Sequence, residues 1–175
     1  MAQTFDSLKQ YPAVTADDIQ SAMSDCLKIL SVTRKNYEKA FPMPNTNNDG
    51  VYDFSDNTGW TEGFFTGMLW LAYENTKDEE YRRIAEGHVD MLLDRIVNKR
   101  RIETHDMGFL YSLSCVAAYK LTGNEKGREA AVMAARNLVS RYREKGEFLQ
   151  AWGSMDNPKE YRLIIDCLLN LPLLY

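Results

Sequence analysis

The most informative segment of this chain covers residues 60–73 and reads WTEGFFTGMLWLAY. Aromatic and aliphatic side chains leave it almost no polar face, and Gly63 and Gly67 would let a neighbouring helix approach closely. A helix that is apolar on all sides belongs in the interior of a protein. We therefore predict a buried helix here, with the other elements packed around it.

Two types of helical pattern alternate along the chain. One type has a polar face that should contact water, and the other is apolar almost all round. The amphipathic segments are 15–41, 78–97 and 125–142, and the apolar segments are 60–73, 107–121 and 163–175. Thr15 should begin the first helix, with Asp18 in its first turn, and Pro42 should end it. Because no run alternates as a strand does, we predict an all-α fold.

A weak internal repeat supports pairing these helices as hairpins. Residues 72–95 and 118–141 share Ala, Tyr, Thr, Glu, Arg, Ala, Leu and Arg at equivalent positions. Shared helix composition is the simpler explanation, but Ala-Tyr-x-x-Thr stands at the predicted turn both times, and the spacing suits a helical-hairpin repeat. Buried helices that alternate with amphipathic ones predict an inner and an outer ring, which is an α/α toroid. An open solenoid is the alternative. Three hairpins would not close the ring.

Composition and charge exclude several functional classes. The 175 residues are 45% hydrophobic, which is enough for one domain over residues 1–175. The net charge of −4 argues against a nucleic-acid-binding protein. The sequence after Met1 has no leader pattern, and no apolar run is long enough for a membrane span. We therefore predict no nucleic acid and no membrane among the partners.

The cysteines and histidines bear on the cellular compartment and on metal binding. Three cysteines without a C-x-x-C pair are typical of reduced thiols, so we predict a cytoplasmic protein. The chain has two histidines and no Cys/His cluster at ligand spacing, so we expect no metal and no cofactor.

The chemically distinctive residues stand just before the apolar helices or at their starts. They are Trp60, His105, Asp106, Trp152 and Asp166. If the inner helices run parallel, as hairpin connections require, these residues meet at one end of the ring, where helix amino-termini also favour an anion. Asp166 stands in the apolar run 163–169, where an unpaired carboxylate would be costly.

Each of these residues also has a purely structural interpretation. Asp106 and Asp166 could cap helices, and Trp60 and Trp152 could belong to the core. We expect His88, the second histidine, to be a hydrogen-bonded residue of an amphipathic helix.

Four blocks of sequence resemble the family of unsaturated glucuronyl hydrolases. In the family's order, they are WTEGF at 60–64, HDMGF at 105–109, QAWG at 150–153 and IIDCLLNLPLLY at 164–175. The likeness runs from about Thr15 to Tyr175. It implies an (α/α)6 toroid of which this chain supplies about three hairpins, the amino-terminal half. The carboxy-terminal half of the toroid is then expected as a partner.

The resemblance also implies a substrate and a role for each residue. Members of the family act on oligosaccharides released by polysaccharide lyases, including glycosaminoglycan fragments, which begin with a 4,5-unsaturated uronic acid. Asp166 falls on the family's general acid/base and Asp106 on its second essential carboxylate, while Trp60, His105 and Trp152 fall in the substrate pocket. Protonation at C4 and addition of water at C5 would give a hemiketal, which opens to a keto acid and releases the remaining sugar.

Two alternatives stay open on the sequence alone. A hydrolase for unsaturated rhamnogalacturonan would share the toroid and the chemistry. A non-catalytic helical-hairpin scaffold would bind a protein partner along its concave face. The enzyme predicts carboxylates and aromatic residues clustered at one end of the ring, whereas the scaffold predicts an extended polar groove.

Overall fold

The computed structural model describes residues 13–175, so the stretch after Met1 that lacks a leader pattern lies outside the described residues. The chain divides into two compact units at the boundary between Thr33 and Arg34. One domain over residues 1–175 stays a prediction. Every helix of the described residues is too short or too polar to cross a membrane.

The described part of the first unit is helix α1, Ala16–Thr33. It begins where the sequence predicts, because Thr15 and Asp18 cap each other. The Asp18 carboxylate accepts from the Thr15 amide at 2.9 Å, and the Thr15 hydroxyl oxygen accepts from the Asp18 amide at 3.2 Å. Two residues of its apolar face, Ile19 and Cys26, are exposed.

The second unit consists mainly of helices. Its α-helices are α2 Glu62–Thr76, α3 Glu79–Val97, α4 Met107–Tyr111, α5 Ala117–Thr122, α6 Glu125–Val139 and α7 Cys167–Asn170. A π-helical segment, Ser112–Val116, joins α4 to α5, and 3-10 helices cover Arg34–Tyr37 and Leu171–Leu174. Its strands are β1 Phe41–Thr46, β2 Tyr52–Ser55, β3 Tyr142–Arg143 and β4 Phe148–Leu149. The predicted helical architecture is confirmed.

The internal repeat corresponds to two similar hairpin turns. The turn after α2 has Lys77 in the left-handed conformation, and the turn after α5 has Gly123 there. Asp78 and Asn124 follow and cap α3 and α6, accepting hydrogen bonds from the amides of Glu80 and Gly127 respectively. The repeat is therefore structural.

Helix α2 packs closely, but on one side only. A Cβ at Gly63 would lie 2.1 Å from the Phe109 carbonyl oxygen, so the α2–α4 approach requires glycine there, as predicted. Within the described residues α2 is not buried all round, because Phe64, Met68 and Leu71 are 38%, 48% and 56% exposed. Helix α3, the π-helical segment 112–116 and α4 pack against its other side.

Two β-hairpins were not expected from the sequence. Strand β1 pairs antiparallel with β2, and Pro42, read as a helix terminator, lies opposite Phe54 within this pairing. Both strands of a two-stranded sheet are edge strands, where a proline is tolerated. Strands β3 and β4 have two residues each, which is too short to show an alternating pattern.

The third apolar helix is much shorter than predicted. Residues 163–165 are not helical, and only the single turn of α7 and the following 3-10 helix form. The preceding residues have no regular secondary structure, and the Ala151 amide donates to the Arg162 carbonyl at 2.8 Å. Leu163 and Ile165 are 61% and 87% exposed, so their apolar character does not reflect burial within the described residues.

Candidate active site

His105, Asp106 and Asp166 meet at one point of the second unit. The His105 imidazole is buried, and its Nε2 lies 3.3 Å from Asp106 Oδ1 and 3.6 Å from Asp166 Oδ1. The two carboxylate side chains are 18% and 34% exposed, so both border solvent. Two carboxylates on one imidazole form a group that can hold and transfer a proton.

A close contact between α4 and α7 brings the two aspartates together. A Cβ at Gly108 would lie 2.3 Å from Asn170 Cα, so a larger residue would push the segments apart. Asn170 Oδ1 accepts from the Phe109 amide at 2.9 Å, and its Nδ2 donates to the Asp166 carbonyl at 3.2 Å. Asn170 is fully buried and therefore fixes the start of α4 against Asp166.

Neither aspartate caps its helix through its side chain. Asp106 precedes α4 and Asp166 precedes α7, but neither carboxylate accepts a hydrogen bond from a first-turn amide. Asp106 Oδ2 accepts instead from the Thr104 hydroxyl at 2.6 Å, and the buried Oδ1 of Asp166 has no hydrogen-bond partner. The capping interpretation is wrong for both residues. An unpaired carboxylate oxygen beside an imidazole is a feature that needs a functional explanation.

Trp60 lies at the same end of α2 and α4 and is half exposed. Its ring centroid is 5.6 Å from that of Phe109, which follows Asp106 by three residues. The buried carboxylate of Glu62 fixes the loop before α2 through hydrogen bonds. Glu62 Oε1 accepts from the Ser55 hydroxyl at 2.6 Å and from the Gly59 amide at 2.8 Å. Trp60 is therefore presented on a fixed loop rather than packed in the core.

Trp152 is also half exposed and stands beside the segment that carries His105. The Ala151 carbonyl accepts from the His105 amide at 2.7 Å, and Trp152 forms an isolated antiparallel bridge with Thr104. These backbone contacts put the Trp152 segment directly alongside residues 104–105. Within the described residues neither tryptophan is packed in the core, since Trp152 is 46% and Trp60 50% exposed.

The donor set of this site could also attract a divalent cation. One nitrogen of His105 and one oxygen from each aspartate lie within 4.8 Å of one another. However, His105 Nδ1 is buried without a hydrogen-bond partner, whereas a metal-binding histidine almost always donates its second N–H to one. The geometry therefore suits hydrogen bonding and proton transfer better than metal binding.

Sequence reasoning missed two residues that build the site. Asn170 stands among leucines in the block 164–175. A polar side chain in such an apolar run needs hydrogen-bond partners when buried, which could have indicated its structural role. Arg141 is buried and holds the loop on both sides of Trp152. Its Nε donates to the Gln150 carbonyl at 2.8 Å and its Nη2 to the Gly153 carbonyl at 3.1 Å. The repeat pairs Arg141 with Arg95 and could have singled it out.

Comparisons with known proteins agree on one family. The family model described as Glycosyl Hydrolase Family 88 matches residues 35–175. The unsaturated chondroitin disaccharide hydrolase of Streptococcus pneumoniae is 43% identical over 166 residues, which cover 95% of this chain and 42% of that protein. The unsaturated glucuronyl hydrolase of Bacillus sp. strain GL1 is 42% identical over 89% of this chain and 41% of that protein.

Solved structures give the same result. The unsaturated glucuronyl hydrolase from Streptococcus agalactiae superimposes with a TM-score of 0.88 at 43% identity, over 94% of this chain and 41% of that one. A mutant of the S. agalactiae enzyme complexed with dGlcA-GalNAc6S gives a TM-score of 0.79 at 36% identity, over 96% and 39%. The predicted α/α-toroid fold is confirmed, and this chain forms part of such a ring.

The match covers the amino-terminal part of these relatives. The chain spans about two-fifths of the length of the curated relatives it matches, somewhat less than the half expected. The family model accounts for the whole second unit except its first residue, including both aspartates and their histidine. The chain belongs to glycosyl hydrolase family 88.

Proposed function

We propose that this chain carries the catalytic carboxylates of an unsaturated glucuronyl hydrolase. Such an enzyme removes a 4,5-unsaturated uronic acid from the non-reducing end of lyase-generated oligosaccharides. One observation supports this most strongly: the cluster of Asp106, Asp166 and the buried His105, in a family whose named relatives are hydrolases of unsaturated uronides. A helix cap or a core residue would need none of this arrangement.

The proposed substrates are of the glycosaminoglycan type, and of these a chondroitin-derived disaccharide is the first candidate. Three relatives at 43–44% identity are named unsaturated chondroitin disaccharide hydrolases. A structure described as specific for heparin is only 27% identical. Sequence similarity therefore favours the chondroitin type.

The proposed chemistry begins with the substrate's C4=C5 double bond, which is an enol ether. Asp166 donates a proton to C4, and positive charge develops on C5 and the ring oxygen. The resulting carboxylate accepts a proton from a water molecule as that water adds to C5. The hemiketal then opens to a keto acid and releases the remaining sugar. Asp106 binds a sugar hydroxyl and stabilises the developing positive charge.

The two tryptophans form the proposed binding surface, and the buried His105 supports the carboxylates beside it. His105 Nε2 lies 3.3 Å from Asp106 and 3.6 Å from Asp166, so it can orient both carboxylates toward the substrate. Trp60 and Trp152 are each about half exposed and offer aromatic faces to the C–H groups of the sugar rings.

The remaining part of the toroid is the proposed partner. The named relatives are more than twice as long as this chain. The open stripe of Phe64, Met68 and Leu71 on α2 is the kind of surface that further hairpins of a ring would cover. We propose that the complete active site needs both parts, whether on one polypeptide or two. A cytoplasmic location is part of the same proposal and rests on cysteine usage.

The non-catalytic scaffold is less well supported. It requires an extended polar groove, whereas the distinctive side chains cluster at one end of the inner helices. The alternative hydrolase for unsaturated rhamnogalacturonan would use the same carboxylates. Only a comparison of activity on the two substrates distinguishes it from the glucuronyl hydrolase.

The function is tested by following the ultraviolet absorbance of the conjugated double bond. The chain is mixed with a polypeptide carrying the remaining toroid and given unsaturated chondroitin disaccharide, and in parallel unsaturated rhamnogalacturonan disaccharide. We expect the absorbance to fall with the chondroitin substrate and only when both polypeptides are present. Loss with the rhamnogalacturonan substrate alone would favour the second hydrolase, and no loss with either would contradict the proposal.

A further inference from the structure

Trp152 has a cationic neighbour and is also open to solvent. The Arg162 guanidinium carbon lies 5.6 Å from the centroid of the indole, within cation–π range. The indole is nevertheless 46% exposed, so a large part of its surface is not covered. The same ring is proposed above to contact the sugar.

Arg162 is itself held in place. Its Nη1 lies 3.4 Å from Glu160 Oε1, and Glu160 Oε2 accepts from the Ser154 amide at 2.7 Å. The pair packs against the backbone at Gly153, where a Cβ would lie 2.5 Å from Glu160 Oε2 and 2.7 Å from Arg162 Nη1. Gly153 also has φ +86°, which disfavours any other residue. The guanidinium thus lies against the loop that carries the indole, paired with Glu160 by charge, while Nη1 has no hydrogen-bond partner.

The backbone links this assembly to the proposed catalytic residues. The Arg162 carbonyl accepts from the Ala151 amide, and the Ala151 carbonyl accepts from the His105 amide, at 2.8 Å and 2.7 Å. Arg162 also precedes Asp166 by four residues. The backbones that carry Arg162, Trp152 and His105 are therefore joined by hydrogen bonds into one frame next to the carboxylates.

We propose that Arg162 is a positioning residue that occupies one face of Trp152 and leaves the opposite face to the substrate's sugar. This rests on the proposed function and names the residue that determines how the aromatic wall is presented. Arg162 acts through Trp152, which it keeps in one orientation. A surface cation–π contact with no such role would change stability slightly and leave the kinetics unaffected.

The experiment uses Arg162→Met, which keeps the length but removes the planar charged group, and Arg162→Lys, which keeps the charge. Arg128→Met is the matched control, because Arg128 makes a similar cation–π contact away from the proposed site. Its guanidinium carbon lies 5.9 Å from the ring centroid of Tyr119 on α5. Near-ultraviolet circular dichroism is recorded on this chain for each variant, with and without Trp152→Phe. Michaelis constants are measured with the remaining toroid present.

We expect Arg162→Met to change the aromatic dichroism only where Trp152 is present. We also expect it to raise KM about five-fold, as losing about 1 kcal/mol of binding requires, with kcat changed less than about two-fold. Arg162→Lys should recover part of both effects, and Arg128→Met should show neither.

Unchanged dichroism in Arg162→Met would overturn the proposal, and so would changed dichroism with an unchanged KM. Failure of the proposed function gives a different result, since the unsubstituted protein would then have no turnover. In that case the dichroism still decides whether Arg162 fixes the orientation of Trp152, because that measurement needs no substrate.

Discussion

Asp106 and Asp166 share one imidazole but differ in their hydrogen bonds. Asp106 accepts from the Thr104 hydroxyl at 2.6 Å, whereas Asp166 Oδ1 has no hydrogen-bond partner. A carboxylate held by a neighbour is suited to a fixed contact with the sugar, and an unpaired one is suited to give and take a proton. The difference agrees with the roles proposed for the two residues.

Trp152 could form a wall of the substrate pocket or belong to the core of the complete ring. The effect of Trp152→Ala on stability distinguishes these two roles. Because the indole is 46% exposed, Trp152→Ala should lower the free energy of unfolding by less than about 1 kcal/mol. The matched control is Trp70→Ala, because Trp70 is 1% exposed and its loss should cost about 3–5 kcal/mol through a cavity. Thermal melting of this chain measures both. A Trp152→Ala loss as large as that of Trp70→Ala would return Trp152 to the core.

His88 should make stability depend on pH. Burial lowers the pKa of His88 from 6.5 to about 4, although Nε2 contacts the Tyr37 carbonyl at 2.7 Å. Between these values the unfolded chain binds a proton that the folded chain does not. Stability should therefore be fully present above pH 6.5 and fall by up to about 3 kcal/mol as the pH drops to about 4.

Urea unfolding of this chain at a series of pH values tests this dependence. His88→Gln keeps a hydrogen-bonding side chain without the titration, and should flatten the curve between pH 6.5 and 4. If the His88→Gln variant loses stability over that window as steeply as the unsubstituted chain, another group is responsible.

Among the secondary-structure elements, the two repeated hairpins share a feature: each has a buried arginine at or just beyond the end of its second helix, α3 or α6. Arg95 in α3 and Arg141 after α6 are equivalent in the repeat, and both are buried. Arg95 Nη2 donates to the carbonyls of Arg101 at 3.0 Å and Thr58 at 3.4 Å, close to Trp60. Arg141 donates on both sides of Trp152. Each arginine thus supports the loop that carries one proposed substrate-facing tryptophan.

We expect Arg141→Lys to loosen the loop of Trp152. A lysine ammonium cannot reproduce the guanidinium fork, so a buried carbonyl loses its partner at a cost of about 1–3 kcal/mol. Hydrogen exchange at the Ala151 amide should accelerate, while amides within α3 stay protected. Arg136→Lys, on the exposed surface of α6, is the control and should leave exchange unchanged. Equal exchange at Ala151 in both variants would contradict this role of Arg141.

Much of the helical pattern was predictable because it depends on local periodicity. The starts of α1 and α3, the hairpin turns and the close approach at Gly63 all follow from side-chain type at fixed spacing. Strand β1 and the irregular segment before Asp166 did not, because contacts with residues distant in the sequence determine them. The meeting of Asp106 and Asp166 followed from helix order, but its direct cause, the Gly108–Asn170 contact, could be seen only in coordinates.

On the scale of the whole molecule, this chain supplies one part of a toroid. The apolar stripe on α2 and the exposed Leu163 and Ile165 are surfaces that the remaining hairpins of a ring would cover. The residues proposed for proton transfer are all present in this part. Residues that select the linkage or sulfation of the substrate are expected to come partly from the rest of the ring.

The central claim is that Asp166 transfers the proton, and one comparison of turnover tests it most directly. The absorbance assay is run on unsubstituted chain and Asp166→Asn, each with the remaining toroid, after circular dichroism has established that both fold alike. Asparagine keeps the size of the side chain but cannot donate a proton to C4, so we predict a loss of at least about a thousand-fold in kcat. Asp166→Asn retaining about a tenth or more of the turnover would contradict the account, because the general acid would then be another group.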